Sequence, residues 1–408
     1  MNNQKIEKLK EKPFLFFMDF FNNSIDKFRT IIPFLKKKEI PSIQYHNVNI
    51  DSKCKIALFS GENEIGISHI DLWEPTFLKS NVEYIVIVSN LKLFNKIVEK
   101  YINIKAIYIQ NQSAIKKVFS KLTKLQTIFY PSNTGSNMNL IKYNHIKHIF
   151  IGHGDSDKTA SAHKIFRMYE ENWVAGEAHI DRFKNSKFDS TGLKHVKVGR
   201  PNLLDILKNS TQEWQKRFEN KINILYLPTW EGAYKEQDYS SLKIIKEIVN
   251  ITNLKSSNSD LSINIKLHPF TGKRDNTLNK LEKKLNNIKN CNIVSKENTV
   301  FDSILKSNIF ICDISAVITE CLASNCPIFV YIPKDKEVKI SSSKMPYQYY
   351  CYTFSTIEEL GELLNKVIIN RNDILSKNRT EALEYILNKT DTLNNIFEKK
   401  LKEENNEK

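Results

Sequence analysis

A chain of 408 residues that is 41% hydrophobic and 26% charged has ordinary globular composition, which excludes a disordered or fibrous protein. At roughly 100–200 residues per domain, this length predicts two cores rather than one. Lysine and arginine total 61 against 46 acidic residues, a formal net charge of +15 that either suits an anionic partner or reflects a lysine- and asparagine-rich composition.

The chain opens on a phenylalanine-rich segment. Phe14, Phe17, Phe21, Ile25, Phe28, Ile32 and Leu35 recur at steps of three and four, predicting an amphipathic helix within residues 1–45 that Pro33 must end or kink. Lysines 5, 8, 10, 12 and 36 to 38 flank the stripe, so residues 13–38 have the composition to lie on an anionic membrane surface. The alternative is that the stripe packs on the protein's own core or on a partner. No stretch approaches eighteen consecutive apolar residues and no cleavable leader pattern is present, which predicts a cytoplasmic protein, peripheral on the inner face of the membrane if that helix binds lipid.

From Cys54 short apolar runs alternate with helical patterns: KIALFSG, EYIVIVSN (83–90), AIYIQN (106–111), QTIFYPSN (126–133), KHIFIGHG (147–154), ENWVAGEAH (171–179) and HVKVGRP. A polar helix over Leu203–Phe218 follows. The alternation then restarts with NILYLPTWEG (223–232), SINIKLHPF (262–270), NCNIVS (290–295), IFICD (309–313) and CPIFVYIP (326–333), and residues 356–400 read as helical throughout. This pattern predicts an α/β protein with two parallel, doubly wound, Rossmann-type sheets. The expected domains are 46–205, 220–375 and a C-terminal helix with charged tail over 376–408, behind the helix of 1–45. The six cysteines show no paired spacing and several sit in apolar runs, so buried, reduced thiols are expected.

In open α/β sheets ligands bind beyond the carboxyl ends of the strands. That rule selects three segments. In IFIGHGDSDK (149–158), His153 lies between Gly152 and Gly154, with Lys158 close behind. In IKLHPF (265–270), Pro269 restricts the backbone of His268 and forces the chain out of the sheet. In IFICDISAVITE (309–320), Ser315 stands where a helix should begin, placed to cap it or hold a phosphate, and Glu320 follows where it can accept from a ribose or base. Phosphate-loop, dinucleotide-fold and zinc-protease motifs are absent. Asp155-Ser156-Asp157 matches a D-x-D metal pattern by letter only.

Taken together and in order, these segments resemble the CDP-glycerol glycerophosphotransferase family, the teichoic-acid and capsule polymerases of GT-B fold. The matching pieces are His153-Gly154 with Lys158, Gly199-Arg200-Pro201-Asn202, Tyr226-Leu227-Pro228-Thr229-Trp230, Leu267-His268-Pro269, and Asp313-Ile314-Ser315 leading to Pro327–Tyr331, over roughly 145–335. The resemblance implies that 46–205 is an acceptor domain and 220–375 a donor domain. It makes His153 the base and His268 an assistant at the donor phosphates, with Gly154, Lys158, Arg200, Thr229, Trp230, Asp313, Ser315 and Glu320 as donor-binding positions. Where the family shows Asp-Tyr-Ser-Ser, this chain has Asp313-Ile314-Ser315-Ala316, one hydroxyl fewer, and Glu320 stands where aspartate is usual.

The implied activity is transfer of a polyol phosphate, glycerol phosphate from CDP-glycerol, to a hydroxyl of an acidic surface polymer or lipid-linked primer, with release of CMP. That scheme requires no metal cofactor, though it leaves room for a divalent ion, and no nucleic-acid partner is expected. The alternatives are a GT-B glycosyltransferase using a CMP- or other nucleotide-activated sugar, and a basic binding scaffold that has lost catalysis.

Overall fold

The computed structural model describes residues 41–49, 53–154, 162–232, 234–235, 238–255, 261–286, 288, 291–295, 298–335, 338 and 344–406. The basic helix expected within 1–45 therefore lies almost wholly outside the described residues, and Lys158 and Asp155-Ser156-Asp157 lie outside them too. The chain divides into a unit of residues 1–44, described only at 41–44, and one of residues 45–408, with strand β1 (Ile43–His46) spanning the boundary. Everything below concerns the second unit.

Seven strands form its N-terminal sheet: β2 (Ile56–Ser60), β3 (Tyr84–Val88), β4 (Ala106–Ile109), β5 (Thr127–Tyr130), β6 (Lys147–Phe150), β7 (Glu171–Val174) and β8 (His195–Lys197). All pair in parallel, in the order β4-β3-β2-β5-β6-β7-β8. Strand β2 is buried at every position, as a strand covered on both faces requires, which is why its sequence is a continuous apolar run. Asparagine side chains start the helices behind β3 and β4: Asn90 accepts from Leu93 N and Asn111 from Ala114 N, each at 3.0 Å.

The second sheet holds β9 (Ile222–Leu227), β10 (Leu261–Ile265), β11 (Cys291–Ile293), β12 (Ile309–Asp313), β13 (Ile328–Tyr331) and β14 (Tyr352–Phe354), again all parallel, in the order β11-β10-β9-β12-β13-β14. Two doubly wound sheets with flanking helices make this the GT-B-like arrangement of two Rossmann-type lobes. Each sheet has one point where successive strands turn from one direction to the other, between β2 and β5 and between β9 and β12. Those two gaps are where an open parallel sheet leaves room for a ligand. All six cysteines are buried and free.

Three segments differ from expectation. The helix expected over Leu203–Phe218 stops at Asn209, where Ser210 Oγ donates to Leu207 O, and a separate 3₁₀ turn runs from Trp214. Carbonyls left open by this break, Asn209 O and Gln212 O, are satisfied by the buried Arg217 guanidinium. The run 356–400 contains a π-helical turn at Asn365–Ile369 and a left-handed Asn388 with φ 47°, so it is several helices rather than one. Strand β14, unread in the sequence, closes the second sheet.

The charged C-terminal stretch is also more ordered than its composition suggests. Helix Ile396–Asn406 returns to the N-terminal lobe, where Phe397 stacks on Trp73 at 5.0 Å between ring centres and meets Trp173 edge-on at 5.2 Å. Near its end Glu404 is buried, paired with Lys147 and accepting from Thr127 Oγ1 at 3.3 Å. Gly199, at φ +71°, lets the backbone pass this segment: a side chain there would meet Thr392 N at 2.9 Å. Phe397→Ala should destabilise the fold by about 3–5 kcal/mol, the usual cost of emptying an aromatic site. In urea titration this appears as a lower midpoint with an unchanged slope, whereas a loss under about 1 kcal/mol would mean that the helix adds little to the core.

Candidate active site

Strand register builds the site. Tyr130 pairs with Phe150, so Pro131, one residue beyond β5, lies beside the turn that follows β6. Gly152 makes that turn at φ +65°, a left-handed conformation that suits glycine, and its carbonyl accepts from Trp73 Nε1 at 2.6 Å. His153 then directs Nδ1 at Pro131 O, 2.9 Å away. Because a carbonyl only accepts, Nδ1 carries the proton and the Nε2 lone pair is left for another group. The outer edge of the ring is open to the cleft, yet protein crowds it on its other sides. That desolvation, reinforced by His69, pulls the imidazole down to about 4, against the opposing pull of Pro131 O and Glu62.

The second histidine is set the opposite way. Phe270 N–H donates to His268 Nδ1 at 3.1 Å, which makes Nδ1 an acceptor and puts the proton of the neutral ring on Nε2. Trp230 lies nearly parallel to His268 with ring centres 6.2 Å apart, and Phe270 packs on both. The loop that carries them is pinned by Glu231. Its buried carboxylate accepts from Gly272 N, Arg274 N and Asp275 N at 3.2, 2.8 and 3.0 Å. Burial alone would raise that carboxyl, but the backbone donors outweigh it and hold the group below its usual range.

Between these elements lies a cavity of ≈ 450 Å³ lined by His153, Thr229, Trp230, Lys266, His268, Ser315, Ala316 and Glu320, with Leu227, Pro228, Leu267, Pro269, Val300 and Val317 as its apolar wall. It opens over the gap between β9 and β12, and His153 reaches it from the other lobe. Six positions singled out from sequence thus share one cavity: His153, Thr229, Trp230, His268, Ser315 and Glu320.

The remaining positions sit differently. Gly154 faces the opposite lobe, with space for a methyl only 3.5 Å from Ala316 Cβ. Arg200 is buried behind the cleft, and its charge offsets the burial that pushes Glu320 up to about 7. Asp313 is fully buried beneath the cavity, where Oδ2 accepts from Thr229 N at 2.8 Å and Ser241 N at 3.0 Å and Oδ1 accepts from Ser241 Oγ at 2.5 Å. Burial pushes its carboxyl up to about 7 against these donors. Its contacts tie together the loops that support the cavity. Ser315 does not cap a helix: the helix runs Val317–Leu322, is preceded by Ala316 without a side-chain cap, and Ser315 Oγ lies 3.4 Å from Asp313 O. A helix of six residues also has little of the aligned dipole that the sequence suggested for phosphate binding.

Sequence reasoning passed over Lys266, Glu62 and His69. Lys266 shares a face with His268 two residues on, a signal available in I-K-L-H. Its Nζ donates to Ser295 O and Asn298 O at 3.1 and 2.6 Å. His69 stacks on His153 from 84 positions away, which no local pattern reveals. Among the described residues no group of three His, Cys, Asp or Glu side chains is placed to hold a metal ion, and no helix is long and apolar enough to cross a membrane.

Two Rossmann-type lobes that bring strand-end histidines and a serine to one interlobe cavity make a GT-B-like protein with a ligand site between its lobes. Solved structures of the same fold include the wall teichoic acid polymerase TagF, at 15% identity with a TM-score of 0.56 over 88% of this chain and 91% of that one. A variant of that polymerase matches over 100% of both chains at 15% identity and TM-score 0.56. The UDP-GlcNAc 2-epimerase of Methanocaldococcus jannaschii matches at 14% identity and TM-score 0.51, over 81% of this chain and 99% of that one. These likenesses show the fold alone, and no curated protein matches in sequence. Residues 9–339 match the profile of the CDP-Glycerol:Poly(glycerophosphate) glycerophosphotransferase family, and the chain belongs to that family. It is accordingly an enzyme, a CDP-glycerol-dependent glycerophosphotransferase acting on a surface polymer with release of CMP.

Asp313→Ala removes the oxygens that take the Thr229 and Ser241 N–H groups and the Ser241 hydroxyl, leaving buried donors without an acceptor. The loss should be about 1–3 kcal/mol, the cost of leaving a buried donor unpaired, read as a lower midpoint of chemical unfolding. An unchanged midpoint would show that the Thr229 and Ser241 loops do not depend on it.

Proposed function

We propose that the cavity holds the CMP end of the donor against the C-terminal lobe and that His153 is the general base for the acceptor. The supporting observation is the pair of histidines with opposite hydrogen-bonding senses: His153 turns a lone pair toward the cavity, and His268 carries its proton on Nε2. In this reading the acceptor hydroxyl attacks the phosphorus bonded to the glycerol oxygen. A P–O bond forms to the acceptor, the P–O bond to CMP breaks, and His153 Nε2 takes the hydroxyl proton. Proton transfer of this kind contributes on the order of 10²–10⁴ in rate. His268, Lys266 and the Ser315 hydroxyl would bear on the phosphates, the positioning and charge stabilisation that dominate phosphoryl transfer. Glu320 would accept from the ribose or base, and Thr229 and Trp230 would line the nucleotide. The scheme routes no step through a metal.

The acceptor is read as an acidic polymer or lipid-linked primer carrying glycerol phosphate. The net charge of +15 supports an acidic chain as partner, and a wall teichoic acid polymerase shares this fold. A lipid-linked primer would be met at a membrane face, for which the sequence of residues 13–38 has the composition.

The direct test is His153→Ala. CMP release from CDP-glycerol should fall by at least about 10²-fold while calorimetric affinity for CDP-glycerol changes less than about threefold. Equal losses of binding and rate would remove the base assignment. Because the base works unprotonated and crowding by protein pulls His153 down to about 4, kcat/KM of Glu320→Gln, in which the cavity's carboxyl raised to about 7 no longer titrates, should stay level from pH 8 to pH 5 and fall only below that. A fall centred on the ordinary histidine value, about 6.5, would contradict the assignment.

A further inference from the structure

Helix Ile67–Lys79 is long, and two of its residues one turn apart face the Gly152–His153 turn. Trp73 Nε1 holds the Gly152 carbonyl at 2.6 Å. His69, four residues earlier, lies flat against the His153 ring, with ring centres 3.7 Å apart and planes within 16°. Residues at i and i+4 share a helix face, so one rigid element grips both the backbone of the turn and the ring it carries. The far edge of His69 is held in turn: Glu62 Oε2, from the loop after β2, lies 2.5 Å from His69 Nδ1. Ser132, one residue after the Pro131 that holds His153, is buried too.

We propose that His69 is a positioning residue for the transfer: with Trp73 and Glu62 it fixes the His153 ring and keeps its cleft-facing nitrogen free of a proton. This rests on the reading of His153 as base. Its physical content is a contest between two rings. Both imidazoles are partly shielded from water, and two stacked rings at this distance do not readily carry a proton each. Glu62 lies against His69 Nδ1, and Nδ1 of His153 is taken by Pro131 O, which leaves the other nitrogen of His153 as its acceptor. His69 accordingly adds to the desolvation that holds His153 down. Among the described residues, the other charged or titratable groups acting on His153 are Glu62, which opposes that depression, and Arg200, which reinforces it. His268 and Glu320 line the same cavity from the opposite lobe.

The proposal separates orientation from proton state, and two variants read them apart. His69→Phe keeps a flat ring against His153 and removes the second imidazole. Trp73→Phe keeps the aromatic contact and removes the hydrogen bond to Gly152. The experiment follows the His153 Cε1–H resonance of the full-length protein from pH 3 to pH 8, assigned by its loss in His153→Ala, alongside the pH profile of CMP release from CDP-glycerol.

In His69→Phe the His153 midpoint should rise by about one unit, and the acid limb of kcat/KM should move by the same interval. In Trp73→Phe the rate should fall at every pH with the midpoint in place. If His69→Phe does not fold, His69→Gln serves instead, since its amide can still meet Glu62 without titrating. A His153 midpoint within about 0.2 unit of wild type in the folded variant overturns the proposal. A shifted resonance in a protein that releases no CMP would leave the His69–His153 coupling standing and remove the reading of the reaction, so the two failures are distinct.

Discussion

In a parallel sheet every strand enters from one side and leaves at the other, so all the loops that follow strands gather at a single edge. Where successive strands begin to be added on the opposite side of the first, the loops part and leave a crevice. This constraint is met twice here, between β2 and β5 and between β9 and β12. The consequences are local and specific. Pairing of Cys312 with Leu227 places Asp313 beside the start of the Pro228–Thr229 loop, where its carboxylate can take Thr229 N–H. Pairing of Tyr130 with Phe150 places the Pro131 carbonyl where it can orient His153. The cavity therefore follows from register and needs no specialised element of its own.

Around the cavity, most of the buried charge serves to hold backbone. Glu231 gathers three N–H groups of the loop behind His268, and Asp313 gathers two N–H groups and a hydroxyl beneath Thr229. Such carboxylates are costly to bury and costly to remove once their donors depend on them. The polar and aromatic side chains left facing the cavity are two imidazoles, two hydroxyls, an indole, one lysine and one glutamate. That division suits a phosphate-bearing ligand, because Glu231 and Asp313 are turned to the protein's own donors and Glu320, on the cavity wall, is pushed up to about 7.

The two lobes were legible because a strand buried on both faces is written as an unbroken apolar run, and IALFS and IFICD are such runs. The site was legible in part for a related reason: histidines and a serine directly after such runs must lie at the ligand-binding edge. Ser315 shows where that reasoning stops. Its sequence position implied a helix cap, but the helix starts two residues later, a shift that local propensity does not fix. The supposed helix 203–218 failed because Arg217 meets Asn209 O and Gln212 O at the break and also Ser324 O, which lies 107 positions away. The return of Phe397 to Trp73 and the stacking of His69 on His153 are contacts across 324 and 84 positions, and no periodicity encodes them. Lys158 and the basic helix of the first 45 residues fall outside the described residues.

The account turns on two imidazoles held in opposite senses by their backbone partners. Long-range ¹H–¹⁵N correlation spectra of histidine-labelled protein at pH 7 report directly which ring nitrogen carries the proton. The account predicts His153 protonated on Nδ1 and His268 on Nε2, both rings neutral, with each signal assigned by its loss in the alanine variant. A His153 ring protonated on Nε2, or on both nitrogens, would contradict it.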